Sequence, residues 1–363
     1  MTARAPRILL HLGASKCGTT SLQGFLGDHD AALRAQGILR PNIMRVGIND
    51  AAAGAFMGMP PQIERFMRWH GLQGVDASHI DAMIEEAFLR EIEEDNPHTV
   101  LLTFEGFLPR SLRQIEKLMG LLAKVSTDIS TITAVRRHDR WAISSYNTRL
   151  VGHGTATRNM LLHDSGQRHG IRYCQQLDAW RQATGASKTK VFAFEDFDDI
   201  LVPYLEAIGF AAETRAAPVR NKGLSAYSQE VLRRYNEITR DKGLDVAMFR
   251  NTRHRLKAVL PRGEPMLPSA QDVAAHLGHF EADIDQLRGS YLPETSKFFS
   301  DLKPYPETCQ AIRVPDSEIG EWVQKAEALN LEADDEPTLT DAVIERQFLA
   351  LEEVSRRLEG KAT

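Results

Sequence analysis

A glycine-rich turn that contains a lysine lies near the N-terminal end of the sequence: His11-Leu12-Gly13-Ala14-Ser15-Lys16-Cys17-Gly18-Thr19-Thr20-Ser21. An apolar run, Ile8 to Leu12, precedes the turn and predicts a buried strand. The segment that follows has apolar residues at helical spacing. A turn between a strand and a helix directs backbone N–H groups and the positive end of the helix toward one point. Such a point binds an anion, most often a phosphate.

The position of the lysine distinguishes this turn from the loop of P-loop nucleotide-binding proteins. In the Walker A pattern the lysine directly follows the second glycine and reaches the β and γ phosphates. Gly13 and Gly18 have the Walker A spacing, but Thr19 occupies the lysine position, and Lys16 lies inside the loop. We therefore expect Lys16 to meet a group close to the first phosphate of a nucleotide.

The segment Lys16-Cys17-Gly18-Thr19-Thr20-Ser21-Leu22 resembles the 5′-phosphosulfate-binding loop of sulfotransferases that use PAPS, 3′-phosphoadenosine 5′-phosphosulfate. The usual form of that loop is close to K[TS]GTTSL, so Cys17 departs from the pattern while keeping its backbone N–H. Two alternatives remain for the turn: a phosphate loop of another kind, or a glycine turn required for packing. The resemblance implies that the donor is bound by Ser15, Lys16, Cys17, Gly18, Thr19, Thr20 and Ser21.

A second segment matches another sulfotransferase motif. Arg136 follows a predicted strand, Ser144 comes eight residues later in the next predicted helix, and Tyr146 completes Ser144-Ser145-Tyr146. A guanidinium and a hydroxyl placed in this way can bind one phosphate from two sides. In the family that phosphate is the 3′-phosphate of PAPS. The alternative is a helix that merely follows a surface arginine.

A basic loop further along the chain also has a counterpart in the family. Arg220-Asn221-Lys222-Gly223 resembles the loop that closes over the 3′-phosphate, although the inserted asparagine departs from the family pattern. The resemblance implies that Arg220 and Lys222 bind this phosphate.

Glu105 follows the apolar run that ends at Phe104. In several carbohydrate sulfotransferases a glutamate at this place is the general base, so the resemblance implies catalytic roles for Glu105 and Lys16. The alternative for Glu105 is a helix cap or an ion pair with an arginine. The implied reaction is in-line transfer of a sulfuryl group from PAPS to a hydroxyl, of a carbohydrate or glycolipid. Its second product is PAP, adenosine 3′,5′-bisphosphate, and no metal is required.

Two other functions stay open at this point. An ATP-dependent, kinase-like phosphotransferase with a displaced lysine is one of them. The other is a catalytically inactive protein of the same fold that binds a partner through its C-terminal helices.

Predicted strands alternate with helices, which indicates an α/β fold with a central parallel sheet, as in the P-loop-like sulfotransferase fold. Lys16, Glu105 and Arg136 each follow a predicted strand, so we expect them at the edge formed by the carboxyl ends of the strands. A helix is expected over 18–35, and segments 42–75 and 152–168 are expected to be irregular and to form the acceptor site. The predicted strands are 7–12, 37–41, 99–104, 129–135 and 190–194.

The pattern becomes mostly helical after residue 225. We expect an α/β core over 1–225 that binds PAPS, and a helical extension over 226–363 that packs on it. Helices are predicted over 225–241 and 245–260, from Ser269 towards Arg288, and over 339–358 after an acidic linker, 332–336.

The composition limits the classes of function. With 363 residues, a net charge of −5 and a pI near 6.2, the chain is not a nucleic-acid binder by bulk charge. Three scattered cysteines give no disulfide or metal pattern, and no apolar run is long enough to span a membrane. We expect a cytoplasmic protein, which can form homodimers.

Cys17 invites a chemical prediction of its own. A thiol in an electropositive loop at a helix N terminus is expected to have a lowered pKa. Alkylating reagents should then inactivate the protein, and PAP should protect it.

Overall fold

The computed structural model describes residues 5–70, 79–211, 223–300, 305–309 and 312–329. These residues belong to two compact units, each built from segments that are distant in sequence. Unit 1 combines Met1–Arg137, Ile171–Pro218 and Phe280–Leu302. Unit 2 combines His138–Gly170, Val219–His279 and Lys303–Thr363. The sequence-based boundary at residue 225 stays a prediction.

Unit 1 contains a five-stranded sheet in which every pairing is parallel. The strand order is β2-β3-β1-β4-β5. This confirms the α/β class predicted from the alternation of strands and helices. The strands are β1 (Arg7–His11), β2 (Ile38–Leu39), β3 (Thr99–Thr103), β4 (Ile129–Val135) and β5 (Thr189–Ala193).

The central strand carries the lysine loop. β1 pairs with β3 on one side and β4 on the other, with Leu9 opposite Leu101 and Ser130. The β1 residues from Ile8 to His11 are all buried, as expected for a parallel strand covered on both faces. Because all strands run in one direction, the segments after β1, β3, β4 and β5 leave the sheet at the same edge.

Helices cover the sheet within unit 1. The bounds are α1 (Thr19–Asp28), α2 (Asp30–Ala35), α3 (Ala52–Phe56), α4 (Pro60–Trp69), α5 (Ile80–Asp95), α6 (Leu112–Leu122), α8 (Tyr173–Thr184), α9 (Leu201–Ile208) and α13 (Glu281–Ser290). α6 begins with a capping box, in which the side chains of Ser111 and Gln114 each accept a hydrogen bond from the other residue's backbone N–H.

Two predictions about unit 1 are wrong. The helix expected over 18–35 is broken at His29, whose ring stacks on Phe25 and contacts the Phe25 carbonyl at 2.8 Å. Segment 42–70 is not an irregular insertion but contains a 3₁₀ turn, Asn42–Met44, followed by α3 and α4. Two prolines open α4, since the first helical turn needs no N–H donor there. Residues 71–75 lie outside the described part of the chain.

The described residues of unit 2 after 225 are mostly helical, as predicted, and segment 153–168, expected to be irregular, contains no helix. The helices of unit 2 are α7 (His138–Gly152), α10 (Ala226–Asp241), α11 (Arg250–Val259), α12 (Ala270–Gly278) and α14 (Asp316–Glu327). Ser225 caps α10 and Ser269 caps α12, each through its side chain. The helix predicted from Ser269 towards Arg288 instead ends at Gly278, and α13 follows separately. The predicted linker 332–336 and the last helix, 339–358, lie outside the described residues.

Within the described residues, no helix is long and apolar enough to cross a membrane.

Candidate functional site

The lysine loop is fixed at its base by hydrogen bonds that continue the β1–β4 pairing. The Gly13 carbonyl accepts from the Ala134 N–H at 3.0 Å and from the Thr133 hydroxyl at 2.6 Å. The Ala14 N–H donates to the Ala134 carbonyl at 2.9 Å. The loop therefore starts from a backbone position that the sheet itself determines.

Three positive φ angles then turn the chain from β1 into α1. Gly13 has φ 107°, Lys16 has φ 65° and Gly18 has φ 81°. Glycine adopts this region without cost, whereas a lysine there is strained by about 1–2 kcal/mol. Such strain is found mainly at functional sites. Lys16 is thus held in a conformation that its own preferences disfavour.

The N terminus of α1 has the properties of an anion site. Gly18 is its N-cap residue, no side chain caps the helix, and the first turn contains no acidic residue. The first N–H groups of a helix lack partners within the helix and lie at the positive end of its dipole. Thr20 and Ser21, in this first turn, are exposed. An anion placed there would meet backbone donors and two hydroxyl-bearing side chains.

Glu105 lies against this loop. The Thr19 hydroxyl donates to Glu105 Oε2 at 3.0 Å, and Thr19 is 3% exposed while Glu105 is exposed. A Cβ added to Gly13 would come within 3.2 Å of the Glu105 Cα, so Gly13 permits a close approach of the two backbones. The loop residue Thr19 therefore orients a carboxylate that itself faces solvent.

The strand that leads to Glu105 is anchored by buried polar groups. Asp50 accepts a hydrogen bond from the Thr103 N–H at 2.5 Å, and its own N–H donates to the Thr103 carbonyl at 2.9 Å. Arg40 pairs with Asp50 at 3.4 Å, and both side chains are almost fully buried.

His11 Nδ1 lies 2.7 Å from the Thr103 hydroxyl. Burial lowers the pKa of His11 to about 3. Its burial and its contact with Thr103 give this histidine a structural role.

Arg136 contacts the lysine loop from the other side. Its Nη1 donates to the Lys16 carbonyl at 3.0 Å, and its guanidinium carbon lies 4.7 Å from the centre of the Phe194 ring. Its Nε is buried and has no hydrogen-bond partner among the residues that the structure describes. Arg136 therefore holds the strained lysine in place and has donor capacity left for a ligand.

Tyr173 positions the backbone of Arg136. Its hydroxyl donates to the Arg136 carbonyl at 2.9 Å and accepts from the Arg136 N–H at 3.3 Å. The Tyr173 and Cys174 N–H groups, at the start of α8, donate to the Asp283 carboxylate, each at 3.0 Å. Sequence reasoning missed Tyr173 and Phe194 as supports of the site, because neither belongs to a local motif.

The expectation for Cys17 is wrong. Its side chain is fully buried in the unit 1 core, and burial raises the pKa of the thiol far above its usual value. Arg136 lowers this pKa, but the desolvation outweighs it, and Glu195 and Glu105 raise it further. The backbone at Cys17 belongs to the loop while its side chain points into the protein, so an electropositive loop does not activate this thiol.

Of the remaining predicted residues, the structure describes Ser15 and Ser144. Ser144 is half-buried on α7 and belongs to unit 2, where Tyr146 donates to the Thr157 carbonyl at 2.8 Å. Ser15 is half-buried in the loop. Arg220 and Lys222 lie outside the described residues. Their predicted contacts with the 3′-phosphate stay predictions.

Within unit 1, Lys16, Glu105 and Arg136 are thus connected through the loop itself. Thr19 links the loop to Glu105, and the Lys16 carbonyl links it to Arg136. The arrangement combines an exposed carboxylate, a strained lysine and an uncapped helix N terminus. No family model, curated protein or solved structure matches this chain.

Proposed function

We propose that the protein is a sulfotransferase that moves a sulfuryl group from PAPS to a hydroxyl of a carbohydrate or glycolipid. The observation that carries the proposal is the lysine loop, which makes one hydrogen bond to Glu105 and another to Arg136. The order and spacing of the loop and Arg136 motifs resemble those of the sulfotransferase family, and Lys16 and Arg136 both follow neighbouring parallel strands, β1 and β4.

The loop would bind the donor. Backbone N–H groups from Cys17 to Thr20 surround the uncapped start of α1, which suits the 5′-phosphate of PAPS. The Thr20 and Ser21 hydroxyls would add donors to the same phosphate. The buried Nε of Arg136 has no partner among the described residues and suits a second anionic group, the 3′-phosphate.

The transfer would be an in-line displacement. Glu105 would accept the proton of the acceptor hydroxyl as that oxygen bonds to sulfur. The bond between sulfur and the bridging oxygen of the 5′-phosphate would break, and Lys16 would stabilise the charge that develops on this oxygen. The products are a sulfate ester, PAP and a protonated Glu105, so atoms and charge balance.

The Thr19 hydroxyl has a defined place in this scheme. It fixes one oxygen of Glu105, Oε2, and leaves Oε1 available to the acceptor. A base that is already held in one orientation loses less conformational entropy on reaching the reactive geometry.

The test is product analysis with two donors. The purified protein would be incubated with a panel of saccharides and glycolipids and with either PAPS or Mg-ATP. Mass spectrometry would identify sulfated or phosphorylated products. We expect sulfate esters and stoichiometric PAP with PAPS, and no product with Mg-ATP. Phosphorylated acceptors would instead make the protein a kinase-like phosphotransferase.

A matched variant tests the assigned base. Glu105→Gln keeps the size of the side chain and an oxygen for Thr19 but cannot accept a proton at neutral pH. We expect turnover with PAPS to fall about 10²–10⁴-fold while PAP binding is retained. Unchanged turnover would remove Glu105 from the mechanism.

A further inference from the structure

Unit 2 contains a cavity that the proposed sulfotransferase site does not use. The cavity measures about 380 Å³, within the size range of small-molecule sites. Three separate segments of unit 2 form it: the loop after α7, the first half of α10, and the segment before α14. Its lining residues are Arg158, Glu230, Arg234, Arg313 and Val314.

The negative charge of the carboxylate in this cavity is compensated by paired arginines. Glu230 is 2% exposed, and Arg233 donates from Nε to its Oε2 at 2.7 Å and from Nη2 to its Oε1 at 2.9 Å. This fork is the strongest geometry for an arginine–carboxylate pair. Arg158 Nη2 adds a third contact, to Oε1 at 3.0 Å. Glu230 therefore orients Arg158. Because its negative charge is compensated by Arg233 and Arg158, it repels a bound anion only weakly.

The other two arginines differ in how they are held. Arg234 is paired with Glu237 and with Asp316, the latter at 2.7 Å, so its position is fixed. Arg313 is exposed and makes no hydrogen bond or ion pair with any other residue that the structure describes. Across the cavity and its immediate partners, four guanidinium groups oppose three carboxylates. One positive charge is left over.

We propose that this cavity, the unit 2 arginine pocket, binds a singly charged oxyanion group, a carboxylate or a sulfate ester, on a small polar molecule. One negative charge compensates the excess. Arg158 and Arg313 supply planar donors that match two oxygens of one anionic group. The volume exceeds that of a bare ion and accommodates a sugar-sized body, and buried Val314 provides an apolar wall. The proposal does not rest on the proposed sulfotransferase function.

Calorimetric titration of the full-length protein tests this pocket. The probes are glucuronate, which carries a carboxylate, and glucose 6-sulfate, which carries a sulfate ester. Glucose is the neutral control, and sodium chloride keeps the ionic strength equal. We expect at least one charged sugar to bind and glucose not to bind. The probe that binds more tightly identifies the anionic group, and absence of binding by both would overturn the proposal.

Two variants inside the pocket and one control variant outside it locate the binding. Arg313→Gln is expected to weaken binding of the charged sugar about tenfold, as is Arg158→Gln. Arg262→Gln removes an exposed arginine of the same unit outside the pocket and should leave the affinity unchanged. Equal weakening by Arg262→Gln would place the binding elsewhere and refute the pocket.

Circular dichroism and urea unfolding would show that each variant is folded. Arg313→Lys supplies a second measure, because it keeps the charge and loses the planar fork. We expect its affinity to lie between those of the wild type and Arg313→Gln. An affinity for Arg313→Gln equal to that of the wild type would overturn the assignment of this residue.

Discussion

Replacing Gly18 by alanine should disrupt the lysine loop through two separable effects. Gly18 has φ 81°, a region that costs an L-residue about 1–2 kcal/mol. A Cβ at this position would also lie 2.4 Å from Ile200 Cγ2, far inside van der Waals contact. Overpacking of a well-packed core costs about 1–3 kcal/mol. We expect Gly18→Ala to lower the free energy of unfolding by about 2–5 kcal/mol.

A double-mutant cycle in urea unfolding separates the two effects. Ile200→Ala removes the methyl group that the new Cβ would strike, so the collision is absent in the double variant while the φ cost remains. The double variant should therefore be more stable than the sum of the single effects predicts, by about 1–3 kcal/mol. Additive effects would show that the contact with Ile200 does not limit the loop.

Gly24 provides the matched control. It lies in α1, and a Cβ there would meet no atom within 4 Å. Gly24→Ala should leave stability unchanged or raise it by about 0.5–1 kcal/mol, because alanine favours a helix interior. If Gly18→Ala destabilised the protein no more than Gly24→Ala, the account of the loop geometry would be refuted.

Three further predictions concern single residues. Cys17 should resist a maleimide in a Cys309→Ser background until urea unfolds the protein, because its thiol is buried; rapid labelling of the native protein, monitored by intact mass, would contradict this burial. Burial lowers the pKa of His11 from 6.5 to about 3, so the unfolded state binds the proton more readily and stability falls as the pH drops below 6.5, by about 1.4 kcal/mol per pH unit. The pH slope of the unfolding free energy between pH 5 and 6.5 should decrease by about that amount in His11→Asn, and an unchanged slope would show that this histidine is not the source. Thr19→Val should reduce turnover with PAPS while leaving PAP affinity within about twofold, because it removes only the hydrogen bond to Glu105; an equal loss of PAP affinity would assign Thr19 to the nucleotide instead.

The alternation of short apolar runs with segments of helical apolar spacing was sufficient to predict the parallel sheet of unit 1. The strand ending at His11 contains the buried apolar run Ile8 to Leu10, the strand ending at Val135 is largely buried and rich in β-branched residues, and parallel pairing follows from the helices between them. The break at His29 was not predictable in this way. A single side chain that contacts the preceding turn ends α1, and no change in apolar spacing marks it.

The candidate site was predictable where motifs are local. Lys16 and Gly18 are close in sequence to the helix they precede, so their spacing already implied an anion site. The contact from Thr19 to Glu105 and the support of Arg136 by Tyr173 join distant segments, and a single sequence carries no signal for either. For Cys17 the local motif led to a wrong prediction. The loop suggested a lowered thiol pKa, but the side chain points into the core, where burial raises that pKa.

The central claim is tested most directly by PAP binding measured against adenosine 5′-phosphate, in the wild type and in Arg136→Ala. Arg136 also donates to the Lys16 carbonyl, so its loss can act through the loop as well as through the ligand. If Arg136 binds the 3′-phosphate, the wild type will prefer PAP and the variant will lose that preference while still binding adenosine 5′-phosphate. If both ligands weaken equally, or if Mg-ATP binds and PAP does not, the proposed PAPS site is wrong.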